Sequence, residues 1–94
     1  MQSKSVYKIP NGKLLKISLE FNEKKNTIIH IKIMGDFFAY PEESIELLEV
    51  ALNGAVLEKE SLQKKIQSII TEHSIQFIGI NAEGLTHGIL MCIP

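Results

Sequence analysis

Three histidines and a single cysteine are the side chains in this sequence that are best suited to metal binding or nucleophilic catalysis. His30, His73 and His87 lack the i, i+4 spacing that places two imidazoles on one helical face. None of them has a cysteine or an aspartate at the spacing of metal ligands. The histidines therefore predict no metal site. We expect His30 to face solvent from a strand and His73 to end a helix, where a cation suits the helix dipole.

Cys92 lies between Met91 and Ile93, in an apolar stretch of the sequence. A reactive thiol needs a base or a positive charge that stabilises the thiolate, and the sequence around Cys92 suggests neither. We therefore expect a small buried hydrophobic residue rather than a nucleophile. Because the chain has one cysteine, an intramolecular disulfide and a cysteine-based metal cluster are excluded.

The glycines and carboxylates form no motif of known chemistry either. The six glycines are scattered, and neither GxGxxG nor GxxxxGK[ST], which would cradle a phosphate, occurs. The acidic pairs Glu42-Glu43 and Glu58/Glu60 lie at predicted helix starts, where negative charge suits the dipole. The sequence thus predicts no catalytic, cofactor-binding or metal-binding residue in this chain.

The most unusual segment is GDFFAY, which places three of the six aromatic residues in four positions. Gly35 permits a turn there, and we expect Asp36 to hydrogen-bond backbone amides in that turn. The rings of Phe37, Phe38 and Tyr40 have two interpretations, which are compatible if one ring points inward and another outward. They fill the core under the following helix, or they form a contact patch, because Phe and Tyr are enriched at interface cores.

Two strands precede this segment, and their side chains alternate with a period of two. One predicted apolar face consists of Leu15, Ile17, Leu19 and Phe21, and the next consists of Ile29, Ile31 and Ile33. A shorter strand, residues 5–9, comes first, and Asn11-Gly12 predicts a type I′ hairpin turn after it. These features predict a three-stranded antiparallel meander over roughly residues 4–34.

Helical periodicity follows the strands. A first helix is predicted to open at Pro41 and to stop at Asn53-Gly54, with glycine as the left-handed cap. A second is predicted over about residues 59–73, and a third from the N-cap Asn81 to the chain end at Pro94. Gly84 and Gly88 each cost the third helix about 1 kcal/mol relative to alanine, so we expect this helix to be marginal or to pack closely. Strands followed by two to three helices predict an α+β fold with the helices on one face of the sheet.

Length and composition set the limits of function. The 94 residues predict one domain, 1–94, and a domain this small has no room for a deep polar cleft. The formal net charge of -1 and the lack of an evident basic cluster predict no nucleic-acid partner. No apolar run reaches the roughly 20 residues of a membrane span, and no signal-peptide core follows Met1. We therefore expect no membrane partner and a cytoplasmic location.

The order of these motifs resembles the C-terminal accessory domain of lipoate–protein ligases. The resembling segments are NGKLLKISLEF, IIHIKIMGDFFAYPEE and SIELLEVALNGAVLEKESLQKKI, so the likeness covers about residues 7–90. The family pattern has a strand ending in Gly-Asp-Phe-Phe, a helix opening with Pro-Glu-Glu, a helix ending in Leu-x-Gly and a second amphipathic helix. These positions are here Gly35-Asp36-Phe37-Phe38, Pro41-Glu42-Glu43, Leu52-Asn53-Gly54 and Leu62 to Ile70.

The resemblance implies a small α+β domain similar to the SufE/NifU-type scaffold, and a non-catalytic role. In this family the accessory domain usually follows a large catalytic domain, but in some organisms the two are separate, associating proteins. This chain resembles the separate form, a free-standing small subunit of a bipartite ligase. It lacks the Arg-rich triple-glycine segment and the adenylate-contacting lysine of the catalytic domain.

The resemblance further implies a heterodimer with a catalytic subunit. That complex would use ATP, Mg and lipoate to form lipoyl-AMP and would transfer the lipoyl group to a lysine of a carrier domain, while this chain would bind no cofactor itself. An accessory subunit needs an exposed apolar patch for its partner. The candidates are the region of Phe37, Phe38 and Tyr40 and the apolar end of the third helix, with Leu90, Met91 and Ile93.

Two other functions remain open from the sequence. A sulfur- or iron–sulfur-handling scaffold would share the implied fold but would need a reactive cysteine on an exposed loop, and a cluster normally takes four cysteine ligands. A homodimeric binding module would associate through an exposed sheet edge or through the apolar terminal helix.

Overall fold

A computed structural model describes residues 1–93 of the chain, which form five strands and three helices. The chain order is β1 (Gln2–Lys8), β2 (Leu14–Asn22), β3 (Thr27–Gly35), β4 (Phe38–Tyr40), α1 (Ser44–Ala51), α2 (Lys59–Glu72), β5 (Gln76–Ile78) and α3 (Ala82–Leu90). The first three strands pair in the order β1-β2-β3, and β4 pairs with β5 in a separate two-stranded sheet.

The predicted antiparallel meander is confirmed. Ser5, Ile17 and Ile33 lie directly opposite one another across the three strands and are all buried. One face of the sheet is therefore apolar and packs against the helices, as the period of two requires. The first strand starts at Gln2 and so is longer at its N-terminal end than the predicted segment 5–9.

The turn between β1 and β2 differs from the predicted type I′ hairpin. A hydrogen bond joins the Gly12 N–H to the Ile9 carbonyl at 2.8 Å, which places Pro10 and Asn11 at the centre of the turn. Asn11 has a φ of 59°, as the second central residue of a type II turn requires. Proline fixes a negative φ at the first central position, so the type I′ turn is impossible in this register.

The prediction that Ile29 shares a buried face with Ile31 was wrong, because β3 carries a bulge. Glu20 pairs with His30, but the next residue, Phe21, pairs with Ile28. Ile29 is the extra residue and is 48% exposed, whereas Ile28 is buried in its place. One inserted residue moves the side chains that precede it in the strand to the opposite face of the sheet. Alternation in the sequence does not reveal such an insertion.

Helices α1 and α2 occupy nearly the predicted segments. The predicted opening at Pro41 was wrong: the helix begins at Ser44, because the chain leaving β4 first makes a turn in which the Ser44 N–H donates to the Pro41 carbonyl. Gly54 follows the helix with a φ of 85°, as predicted for a left-handed cap. At the start of α2, the Glu58 carboxylate accepts hydrogen bonds from the backbone N–H groups of Glu60 and Ser61.

Helix α3 packs unusually close to the sheet. The Asn81 side chain accepts a hydrogen bond from the Gly84 N–H at 2.7 Å, which confirms the predicted N-cap. A Cβ atom at Gly84 would lie 2.8 Å from Ile9, and one at Gly88 would lie 2.7 Å from Leu15. The two glycines therefore permit the close approach. The helix ends at Leu90 and residues 91–93 are not helical, so the prediction that it continues to the chain end was wrong; Pro94 itself lies outside the described residues.

The hydrophobic core lies between the helices and one face of the three-stranded sheet. Its fully buried side chains include those of Leu15, Ile17, Leu48, Leu62, Ile66, Leu85 and Ile89. Strands β1 to β3 and all three described helices contribute to this core, so the predicted α+β class with the helices on one face is confirmed. The β4–β5 sheet was not predicted.

Candidate interaction surfaces

The two-stranded sheet of β4 and β5 presents an apolar surface to solvent, which we call the ribbon face. Phe38 pairs directly with Ile78, and Tyr40 pairs with Gln76, so these four side chains share one side. The exposed fractions are 62% for Phe38, 50% for Tyr40 and 55% for Ile78. Three large exposed side chains on a short sheet are typical of the core of a protein–protein interface.

The opposite side of this small sheet anchors it to the body of the protein. Ala39 and Phe77 alternate with the exposed residues and are half-buried, and Phe77 packs against the core. Phe37 is also half-buried against the core. Of the three aromatic candidates, one ring thus points inward and two point outward, and Phe37 and Phe77 attach the ribbon to the core.

Gly35 and Asp36 form the junction that leads into the ribbon. Gly35 has a φ of 152°, and a Cβ atom there would lie 2.2 Å from the Leu14 carbonyl oxygen and 3.1 Å from the Phe37 ring. The Asp36 backbone N–H donates to that same carbonyl at 3.1 Å. Within residues 1–93 the Asp36 carboxylate accepts no hydrogen bond, so the expectation that it holds backbone amides was wrong.

The second predicted patch, at the end of α3, is less exposed than the ribbon face. Leu90 and Ile93 are half-buried and pack against the core, whereas Met91 is 46% exposed. Leu90 and Met91 also line a cleft of about 430 Å³, where the Tyr7 and His87 rings lie 4.4 Å apart. Among the polar residues of the cleft, Asn81 caps α3 and the Thr86 hydroxyl donates to the Ala82 carbonyl, so these two side chains serve the fold.

Cys92 is buried, as predicted for a small hydrophobic residue. The residue is 2% exposed, and its Sγ lies 3.8 Å from the Gly88 carbonyl oxygen, which also accepts a hydrogen bond from Ser5 Oγ at 2.7 Å. Burial raises the pKa of the Cys92 thiol, and the hydroxyl of Ser5 offsets part of this rise. The thiol is therefore protonated and shielded at neutral pH.

The described part of the chain contains little else that could carry chemistry. Across residues 1–93, no group of three or more His, Cys, Asp and Glu side chains is placed to hold a metal ion. In the same range, each buried side-chain nitrogen or oxygen has a hydrogen-bond partner. None of the helices described there combines the length and apolarity that crossing a membrane demands.

Sequence reasoning found Phe38 and Tyr40 but missed Ile78, the third member of the ribbon face. The segment Gln76, Phe77, Ile78 has one polar residue followed by two apolar ones, so it shows no alternation, and three residues are too few to predict a strand. Its partner, β4, lies on the other side of α1 and α2 in the chain. Only the pairing of two distant short segments creates this surface.

The fold and its surfaces define the class of protein: a small α+β domain that exposes an apolar two-stranded ribbon. A family model described as "Bacterial lipoate protein ligase C-terminus" matches residues 8–89. The chain belongs to this family, as the sequence resemblance predicted. Among curated proteins, no sequence matches it.

A solved structure is similar to this chain over nearly its whole length. It describes an archaeal lipoylation system, a bi-partite lipoate protein ligase and its E2 lipoyl domain from Thermoplasma acidophilum. A chain of that structure matches this chain with a TM-score of 0.78 and 26% sequence identity. The match covers 95% of this chain and 94% of that chain, so the two correspond over nearly their whole lengths.

Proposed function

We propose that this chain is the non-catalytic accessory subunit of a two-protein lipoate–protein ligase. It forms a heterodimer with a separate catalytic subunit in the cytoplasm. The complex uses ATP, Mg and lipoate to form lipoyl-AMP and then lipoylates a lysine of a carrier domain. The observation that carries this proposal is the correspondence, over 95% of this chain, with a chain from the structure of a bi-partite lipoate protein ligase and its E2 lipoyl domain, combined with the family match over residues 8–89.

The ribbon face supplies the contact that such a subunit needs. Phe38, Tyr40 and Ile78 are large, exposed and held on a sheet, so they enter an interface with little loss of conformational freedom. Aromatic side chains of this kind contribute a large share of binding energy where they fill a partner pocket. The ribbon face is therefore the proposed centre of contact with the catalytic subunit.

The accessory subunit acts by favouring one conformation of its partner. It promotes adenylation by binding more tightly to the catalytic conformation in which the substrate-binding loops are ordered, since only a difference in affinity shifts such an equilibrium. We expect the catalytic subunit alone to form lipoyl-AMP slowly, and the addition of an equimolar amount of this chain to restore the rate. Full adenylation without this chain, together with no co-elution of the two proteins, would exclude the proposal.

A double variant tests the role of the ribbon face. Phe38→Ser with Ile78→Ser removes two exposed apolar side chains, so we expect the affinity for the catalytic subunit to fall by about 2 kcal/mol or more, roughly 30-fold in Kd. The matched control is Val50→Ser, which changes a residue that is 70% exposed on α1. Isothermal titration of each variant measures the difference, and thermal melts of the free proteins show whether the fold is retained.

The sulfur-scaffold alternative receives no support from the cysteine. A sulfur-transfer or cluster-assembly protein presents a reactive thiol at its surface, and Cys92 is 2% exposed with a raised pKa. A homodimeric module would use the same ribbon face or the outer edge of β1. Sedimentation of the chain alone and with the catalytic subunit distinguishes self-association from the proposed heterodimer.

A further inference from the structure

The side of the β1–β2–β3 sheet that faces away from the helices carries a group of lysines, which we call the lysine face. Lys4, Ser18 and Lys32 lie opposite one another in one row across the sheet. In the next row, Lys16 lies between Val6 and Met34. Lys8 and Leu14 form the row beyond these, next to the turn between β1 and β2. All four lysines are exposed.

Negative charge is concentrated elsewhere on the molecule. The rows of the lysine face contain four lysines and one glutamate, Glu20, while the remaining residues comprise six lysines and ten acidic residues. Between Lys32 and Lys59 every charged residue is acidic, and this stretch includes α1. Helix α1 lies along β3, where the Glu49 carboxylate accepts a hydrogen bond from the Ile33 N–H at 2.7 Å. Although the net charge is only -1, the charges are separated into a basic sheet face and an acidic side around α1.

We propose that the lysine face guides this chain onto a carboxylate-rich surface of the catalytic subunit, an inference that rests on the proposed heterodimer. The turn end of the lysine face lies next to the ribbon, because the Lys13 N–H donates to the carbonyl of Gly79, the residue that follows β5, at 2.8 Å. Clustered charge beside an apolar contact raises the association rate and fixes the orientation of approach, whereas the apolar contact sets the dissociation rate. The lysine face therefore governs the association rate at this interface, and the ribbon face governs its dissociation rate.

A protein surface that carries carboxylates and apolar groups fits this face better than a nucleic acid or an anionic membrane does. The lysines are separated by apolar side chains, with Val6 59% and Met34 44% exposed, so a partner gains from offering carboxylates and apolar groups together. The rows of the lysine face contain no arginine and no Phe, Tyr or Trp ring on which a nucleic-acid base could stack, and their one imidazole, His30, lies beside Glu20.

The test is the association rate with the catalytic subunit, measured by stopped flow over a range of salt concentrations. The variant Lys4→Gln, Lys16→Gln, Lys32→Gln removes three charges from the face. Lys8 is left unchanged, because its ammonium donates hydrogen bonds to the carbonyls of Ile9 and Gly12 in the turn. We expect the association rate to fall about 10-fold or more near 0.01 M salt, where the Debye length is about 30 Å. The difference is lost near 1 M salt, where that length is about 3 Å.

Two controls isolate the position of the charge. The variant Lys24→Gln, Lys64→Gln, Lys65→Gln has the same net charge but lacks three exposed lysines outside the face, and we expect it to associate like the wild-type chain. The variant Lys4→Arg, Lys16→Arg, Lys32→Arg keeps the charge and is expected to keep the rate. Circular dichroism of each variant verifies that the sheet is intact.

The possible results are distinguishable. An association rate that is unchanged in the Gln variant of the face, or reduced equally in its control, overturns the inference but leaves the heterodimer intact. A wild-type chain that does not associate with the catalytic subunit overturns the proposed function and this inference together. If the free chain binds a short DNA duplex or phosphatidylserine vesicles and the Gln variant of the face does not, the face belongs to a different polyanion and the inference is wrong.

Discussion

At the scale of single residues, Gly35 shows how a short motif is fixed by backbone geometry. Its φ of 152° is unfavourable for a residue with a Cβ atom, and that atom would collide with the Leu14 carbonyl oxygen. The glycine lets β3 end directly beside β2 and lets the chain turn toward β4. The motif Gly-Asp-Phe-Phe therefore begins with a residue that the fold requires, and Phe38 then reaches the surface.

Substitution of this glycine is expected to be costly. Gly35→Ala combines backbone strain of about 1–3 kcal/mol with a steric clash against backbone atoms, so we expect a loss of at least about 2 kcal/mol in the free energy of unfolding. The matched control is Gly54→Ala, where φ is 85° but no atom lies within 4 Å of the added Cβ. Urea denaturation of the two variants separates the clash from the strain; equal losses would contradict the role assigned to the close contact.

Cys92 offers a second prediction at this scale. Because the thiol is buried, we expect iodoacetamide at neutral pH to modify it at least about tenfold more slowly in the native protein than in the urea-unfolded chain. Mass spectrometry of timed samples measures both rates. Similar rates in the two states would show that the C-terminal turn is open in solution.

The raised pKa of Cys92 also makes the free energy of unfolding depend on pH. The unfolded thiol loses its proton near the ordinary pKa of 9.0, while the folded thiol keeps its proton to a higher pH. Burial of the protonated thiol therefore contributes its full stability below a pH of about 9. That contribution is lost as the pH rises through the pKa of the folded thiol. We expect Cys92→Ala to show a smaller decline in the free energy of unfolding between neutral and alkaline pH than the wild-type chain, as measured by urea titrations.

At the scale of elements, helix α3 depends on its first turn because its interior glycines are weak helix formers. The Asn81 side chain satisfies the Gly84 N–H at 2.7 Å. We expect Asn81→Ala to lower the free energy of unfolding by about 1 kcal/mol, and Asn81→Ser to retain most of the stability, since serine also caps helices. Chemical denaturation measures both, and an equal loss in the two variants would argue against capping as the cause.

The sequence predicts the large elements well and the small ones poorly, for physical reasons. Alternation in β2 and the stripe of α2 arise from burial on one side, so they are visible in the chain itself. The bulge at Ile29 and the start of α1 at Ser44 depend on local backbone geometry that many sequences tolerate. Strand β5 exists only because β4 is nearby, and the lysine face exists only because three strands align in register.

At the scale of the whole molecule, the proposed partner is expected to stabilise this chain. At a free concentration of catalytic subunit 100 times the Kd, binding adds about 2.7 kcal/mol to the free energy of unfolding. For a domain of this size, that corresponds to a rise in Tm of roughly 10–20 °C. A hydrogen-exchange or fluorescence melt of the labelled chain measures the shift. The variant with Phe38→Ser and Ile78→Ser is expected to show a much smaller shift at the same concentration.

The pairing of β4 with β5 also bears on how the protein is made. Phe38 and Ile78 meet only after α1 and α2, which lie between them, have been synthesised and folded back. Contacts between residues distant in sequence form late, because closing a long loop carries an entropic cost before the contact stabilises the chain. On the ribosome, the three-stranded sheet can therefore assemble first, while the ribbon face stays incomplete until the segment through Ile78 has left the exit tunnel. A nascent chain that has not yet placed Ile78 beside Phe38 therefore lacks the complete ribbon face.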